Sequence, residues 1–215
     1  MILKKHGLLC ISDETYADLT YDFDHTYFAS LPGAREHTIY LDGFSKSYAM
    51  TGWRIGFACG PREIIAAMTK IHQYTIMCVS ITSQMAACEA LVSGRRSVED
   101  MKREYRRRRE FIVGRLNEIG LPCFMPEGAF YAFPSIRKTG LSSMMFSQKL
   151  LKEQKVAVVP GTAFGVSGEG FVRMSYASSL ENLKEAISRI EIFLKSLKKR
   201  KKREKARVYK RDESF

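Results

Sequence analysis

Apolar residues follow two rhythms along this chain. Uninterrupted short runs at 7–12, 38–41 and 55–59 read as buried strands, while apolar positions recurring every three or four residues predict helices. The first run ends in Ser12-Asp13-Glu14 and the second in the turn signal Asp42-Gly43. Residues 21–37 are polar and aromatic and are broken by Pro32-Gly33, so they predict a loop with little regular structure. Gly60-Pro61-Arg62-Glu63 then opens a helix, with Ile64, Ile65, Met68 and Ile71 at helical spacing. A second helix is expected over 80–92, where Ala86, Ala87 and Ala90 suit close packing, and Met68, Met77 and Met85 read as core filler.

The helical pattern is interrupted at 93–97, which marks the expected domain boundary. Beyond it, 98–119 predicts a long charged helix closed by Gly120, with Pro122 following. Its four adjacent arginines, Arg106 to Arg109, spread around the helix and read as a solvated face. The last third predicts strands at 123–125 and 129–133, a helix at 142–153, strands at 156–159 and 171–175, and a helix at 179–197. That order suits a small α+β layer, helices packed on an antiparallel sheet.

Composition adds bounds. The 215 residues are 45% hydrophobic, enough for one good core or two modest ones. No span of about 18 apolar residues occurs, and the first apolar run is too short for a secretory signal, so a cytoplasmic protein is expected. The five cysteines form no C-x-x-C pair and read as reduced, mostly buried thiols; His25 and His37 lack metal-binding spacing and read as solvent-exposed, and no metal is expected. Glu14 and Asp18 read as surface charges. The net charge of +12 is concentrated at the end, since residues 195–215 hold eleven Lys or Arg against three acids. Such a run reads as a disordered, solvated tail or a frayed helical extension, with contact to nucleic acid or an anionic membrane as the other use of its charge.

Lys46 stands just past the carboxyl end of the second strand, the edge of an α/β sheet where ligands bind. Arg54 follows eight positions later, a fixed cation suited to phosphate. Taken alone, a strand-end lysine reads as a solvated charge, Asp13 as a cap and Arg173 as an edge charge. Taken together, Phe44-Ser45-Lys46 and Met50-Thr51-Gly52-Trp53-Arg54-Ile55-Gly56 resemble the lysine motif of class I/II aminotransferases, pyridoxal 5'-phosphate enzymes of fold type I. Asp13 and Tyr16 resemble that family's Asp-x-x-Tyr pair, and Arg173 in Phe171-Val172-Arg173-Met174-Ser175 resembles its substrate arginine. The stretches around Pro126-Glu127-Gly128 and Val159-Pro160-Gly161 match as well.

The resemblance implies an α/β fold: the C-terminal part of a fold type I large domain, with a mixed, mostly parallel sheet and helices, plus a small α+β C-terminal domain. Residues 1–95 would be the partial cofactor-binding domain, 96–197 the small domain with its connecting helix, and 198–215 the basic tail. It implies amino-group transfer between an amino acid and a 2-oxo acid. Lys46 would bond the cofactor's aldehyde and act as general base, Asp13 and Tyr16 would tune the ring, Ser45 and Arg54 would hold the phosphate, and Arg173 would orient the substrate carboxylate. Family sites lie at dimer interfaces, so a homodimer is implied for the full-length form. Because the resemblance covers residues 1–195 and only the carboxyl-terminal half of family members, the chain by itself is expected to be inactive or nearly so. A lyase or synthase on the same scaffold, or a noncatalytic derivative whose basic tail contacts nucleic acid or an acidic partner, are the alternative readings.

Overall fold

The predicted strands form as Cys10–Asp13 (β1), Thr38–Gly43 (β2) and Gly56–Cys59 (β3). This computed structural model describes residues 2–212, with side chains for 2–200. β1 and β2 run parallel, their register setting Asp13 opposite Leu41, and β3 returns antiparallel with Gly43 opposite Gly56. The sheet order is β1-β2-β3, so the mostly parallel sheet expected from the resemblance is, among the described residues, one parallel and one antiparallel pairing. The reason is the connection: β2 passes to β3 through the single turn Phe44–Ser47 (α2) and a 3-10 turn at Thr51–Trp53, without the long crossover helix that a parallel return uses.

A short helix, Ile2–His6 (α1), precedes the sheet, and Arg62–Thr75 (α3), Ile81–Ser93 (α4) and Arg95–Glu118 (α5) follow it. Gly94 separates α4 from α5, but the chain divides into two compact units further on, inside α5 after Glu104. The first unit is residues 1–104 with 127–129, and the second is 105–126 with 130–215.

In the first unit Phe44, Met50 and Ala87 form the buried cluster, with Tyr48, Ile55, Ala86 and Ala90 against it. The alanine face of α4 thus packs as its sequence indicated. The methionines do not: Met68, Met77 and Met85 are exposed, as is Ile71 of the α3 stripe, and α3 has no fully buried residue. All five cysteines are unpaired, but their burial departs from expectation, since Cys59, Cys78 and Cys88 are exposed and Cys10 and Cys123 are only half-buried.

The second unit holds Tyr131–Ala132 (β4), Ser143–Gln154 (α6), Val159–Pro160 (β5), Val172–Ser175 (β6) and Leu180–Asp212 (α7). Its sheet, ordered β4-β6-β5, is antiparallel throughout. The strand expected at 123–125 does not form, because Cys123 satisfies its backbone on one side chain: its N–H donates to Asn117 Oδ1 and its carbonyl accepts from Asn117 Nδ2, both at 3.0 Å. Helix α6 starts at Ser142, whose hydroxyl accepts from the Met145 N–H. Leu183, Ile187, Ile190 and Leu194 of α7 are buried at the spacing of one helical face, and Phe193 meets Phe146 of α6 edge-on at 5.4 Å. The helix runs past the Leu197 end expected from periodicity to Asp212. Of the four arginines of α5, Arg106 and Arg107 are exposed. Arg109 is instead 3% exposed and donates from Nη1 to the Pro126 carbonyl at 2.9 Å. Among the described residues no helix is long and apolar enough to cross a membrane.

Candidate active site

Parallel pairing of β1 and β2 brings their carboxyl ends to one edge of the sheet, and three of the expected site residues gather there. Asp13 is the last residue of β1 and is exposed; its Oδ1 accepts from the Thr15 N–H at 3.1 Å, a local turn that holds the carboxylate at the strand end. Tyr16 immediately precedes a 3-10 turn, Ala17–Leu19, that packs against α2. Lys46, on α2 and half-buried, lies with its ammonium 5.8 Å from the centre of the Tyr16 ring, within reach of cation–π attraction.

Ser45 and Arg54 are tied together through Thr51. The Thr51 hydroxyl donates to the Ser45 carbonyl at 3.0 Å, and Arg54 donates from Nη1 to the Thr51 carbonyl at 2.9 Å. Arg54 itself is exposed and left-handed, at φ 53° and ψ 53°, a conformation unusual for a long side chain. Ser83 of α4 pins the same turn by donating to the Trp53 carbonyl at 2.8 Å. Gly43 sits where backbones nearly touch, for an added Cβ would stand 3.3 Å from the Ile55 carbonyl oxygen.

Arg173 belongs to the second unit. On β6, opposite Val159, its guanidinium carbon lies 4.4 Å from the ring centres of both Tyr131 and Phe164. The loop carrying Phe164 closes through Gly161, where a Cβ would come within 2.0 Å of the Gly168 carbonyl oxygen, so only glycine fits. That packing explains Gly161 within the Val159-Pro160-Gly161 stretch noted in the sequence.

Two acids beside the site were misread or missed. Glu14 is not a surface charge: it is 6% exposed, and His25 is not free in solvent but pairs with it through Nε2. Glu14 Oε1 also accepts from the Ser12 hydroxyl at 2.7 Å and from the Phe28 N–H at 3.2 Å. Burial pushes its pKa up, yet the bonds from Ser12, Phe28 and His25 outweigh burial and hold it below the usual range. Strand alternation was the available signal, since it places Ser12 and Glu14 on the face opposite Asp13. The partners from the 21–37 loop had none. Asp18, by contrast, stays near the surface and accepts from the exposed Arg95 at 3.0 Å. The second missed acid, half-buried Asp42, accepts from the Tyr40 hydroxyl at 2.7 Å and the Gly43 N–H at 2.6 Å. Burial dominates there and raises its pKa despite both bonds. Among the described residues, no three His, Cys, Asp or Glu are grouped to hold a metal ion.

Comparison with known proteins adds a frame to this geometry. A family model described as "Aminotransferase class I and II" matches residues 1–190. The chain is 49% identical over 197 residues to aromatic-amino-acid aminotransferase 2 of Thermococcus litoralis, covering 90% of this chain and 51% of that protein. It is 50% identical, also over 197 residues, to an aspartate aminotransferase of Pyrococcus abyssi, with 90% and 51% covered. The crystal structure of an aromatic aminotransferase from Pyrococcus horikoshii matches with a TM-score of 0.88 at 50% identity, over 92% of this chain and 53% of the other. The chain therefore spans about half the length of these relatives.

Proposed function

The chain belongs to the class I and II aminotransferases, and on that premise we propose that it carries the lysine-bearing part of a pyridoxal-phosphate-dependent site for moving an amino group between an amino acid and a 2-oxo acid. The observation that supports this most directly is the meeting of Lys46 with Tyr16 at the edge where β1 ends in Asp13. The donor set fits the cofactor's chemistry: an amine for its aldehyde, a carboxylate for its ring nitrogen, a phenol for its ring oxygen and a guanidinium for its phosphate. When bound, pyridoxal phosphate supplies an electron sink for the pair left behind when the α-carbon loses a proton.

The residues divide the remaining work. Lys46 would hold the aldehyde, and its amine, when free, would take the α-proton of a bound amino acid and return it. Asp13, fixed by Thr15, would favour a proton on the ring nitrogen by placing negative charge beside it. Tyr16 would donate to the ring oxygen. Ser45 and Arg54 would hold the phosphate; the left-handed backbone at Arg54 is a strain that the Thr51 bonds sustain. Arg173, steadied in the second unit between Tyr131 and Phe164, carries a planar guanidinium suited to a substrate carboxylate, the role that the family resemblance implies for it. The relatives named for aromatic amino acids and for aspartate divide on substrate, so the amino acid stays open in this proposal. A homodimer and a cytoplasmic setting accord with it.

The test is incubation of the purified chain with pyridoxal phosphate, followed by borohydride reduction and peptide mass mapping. Lys46 is expected to carry the cofactor's mass, and Lys46→Ala to abolish that label and the accompanying visible absorbance. Labelling spread over other lysines, undiminished by Lys46→Ala, would overturn the assignment. Turnover by this chain alone is expected to be negligible, measured with an amino acid donor and 2-oxoglutarate.

A further inference from the structure

We propose that the far end of α7 binds duplex DNA through its phosphates, without regard to base sequence. Helix α7 buries Leu194 and Leu197 and then continues without a break to Asp212. Residues 198–212 hold ten Lys or Arg, the run 198–203 followed by Lys205, Arg207, Lys210 and Arg211, against Glu204 and Asp212. This stretch therefore carries two-thirds of the net charge of +12. Its root is fixed on the second unit. Arg200 donates from Nη1 and Nη2 to the two carboxylate oxygens of Glu153 on α6, both at 3.1 Å, and Lys198 and Lys199 beside it are exposed. The stretch lies beyond residues 1–190, which the family model matches, so its role is separate from amino transfer.

The helix works against its own charge. Lys198 and Lys202, Lys199 and Arg203, Lys201 and Lys205, and Arg207 and Arg211 each stand four positions apart, the spacing at which like charges destabilise a helix. A polyanion laid along it removes that repulsion and releases its own counterions. Composition separates a nucleic acid from a lipid surface. A helix that lies on a bilayer buries an apolar face, whereas residues 198–205 contain no apolar residue and 206–212 only Ala206, Val208 and Tyr209. Geometry then favours the B-form duplex. An α-helix about 10–12 Å across fits a major groove about 12 Å wide between two rows of phosphates, while the A-form groove of RNA is deep and narrow. Residues 198–212 reach about 22 Å along such a groove.

The test is a fluorescence-anisotropy titration of the 215-residue chain with a labelled DNA duplex of mixed sequence. Affinity should fall at least about a hundredfold between about 50 and about 200 mM salt, and a duplex of unrelated sequence should bind within about twofold. Replacing Lys201, Lys202 and Arg203 together by Gln, which keeps helix propensity, should weaken binding at least about tenfold and make the salt slope shallower by about 3. The triple change Lys4→Gln, Lys5→Gln and Lys70→Gln removes the same charge at exposed positions in the first unit and should alter affinity by less than about threefold. Ala206→Pro keeps every charge but breaks the helix, and should weaken binding at least about threefold. Four results would overturn the proposal: no binding at about 50 mM salt, equal losses from the two triple changes, full affinity in Ala206→Pro, or tighter binding to vesicles of equal parts phosphatidylserine and phosphatidylcholine than to the duplex.

Discussion

Helices α3 and α7 are built on the same rule and end in opposite states. Each carries apolar residues at helical spacing, yet α7 buries Leu183, Ile187, Ile190, Phe193 and Leu194, whereas α3 buries none of its residues fully. The difference lies in what each helix meets. Helix α7 packs on α6 within the second unit, where Phe146 fills the space before Phe193. Among the described residues, the outward stripes of α3 and α4 stay exposed, as Ile71, Tyr74, Ile81 and Met85 show. Amphipathic spacing, then, states that a helix has a face to bury and leaves open whether its own unit supplies the cover.

The comparison can be broken most sharply by truncation. Phe193→Ala should destabilise the second unit by about 3–5 kcal/mol, the cost of a large cavity, whereas Ile71→Ala should stay within about 0.5 kcal/mol. Urea unfolding of both variants, followed by far-ultraviolet circular dichroism, checks this, and equal midpoints would show that α3 is covered after all.

If the first unit relies less on apolar helix packing, its polar clasp should matter more. Glu14→Gln should cost about 1–2 kcal/mol, exceeding Ile71→Ala, because it removes a buried carboxylate that accepts from Ser12, Phe28 and His25. The pH dependence has a definite sign. The folded pKa of Glu14 is lowered from 4.5, so its contribution is complete above that value and is lost as pH falls through the lower folded value. The difference between wild type and Glu14→Gln should therefore shrink on acidification, and a gap that widened instead would reverse the assignment.

Helix starts offer the smallest contrast. Ser142 caps α6 through its side chain, whereas Ser80 precedes α4 without a side-chain cap bond. Ser142→Ala should lower stability by about 1 kcal/mol and Ser80→Ala by no more than a few tenths, read from the same urea midpoints.

The candidate site was legible to different depths. Lys46 and Asp13 could be placed at a sheet edge because a buried strand followed by polar residues marks one, and parallel pairing puts the two strand ends together; Tyr16, and the role of each of the three, were legible only through the family resemblance. Glu14 could not be read correctly, since its burial depends on His25 and Phe28 returning from a loop without periodicity. Arg109 escaped for a similar reason: the Pro126 carbonyl that it reaches lies outside its own helix. The strand at 123–125 was lost to one side chain, Asn117, competing for the backbone of Cys123.

By itself the sequence determined most of the local matters: where most strands and helices run, where turns close, and which residue types could carry chemistry, because these follow from the spacing and covalent nature of neighbours. Tertiary structure alone decided which charges are buried and paired, which apolar faces find cover, and how Ser45 and Arg54 come to be joined through Thr51. Those outcomes depend on groups that are remote along the chain or on another element, and desolvation and hydrogen bonding are settled only when such groups arrive.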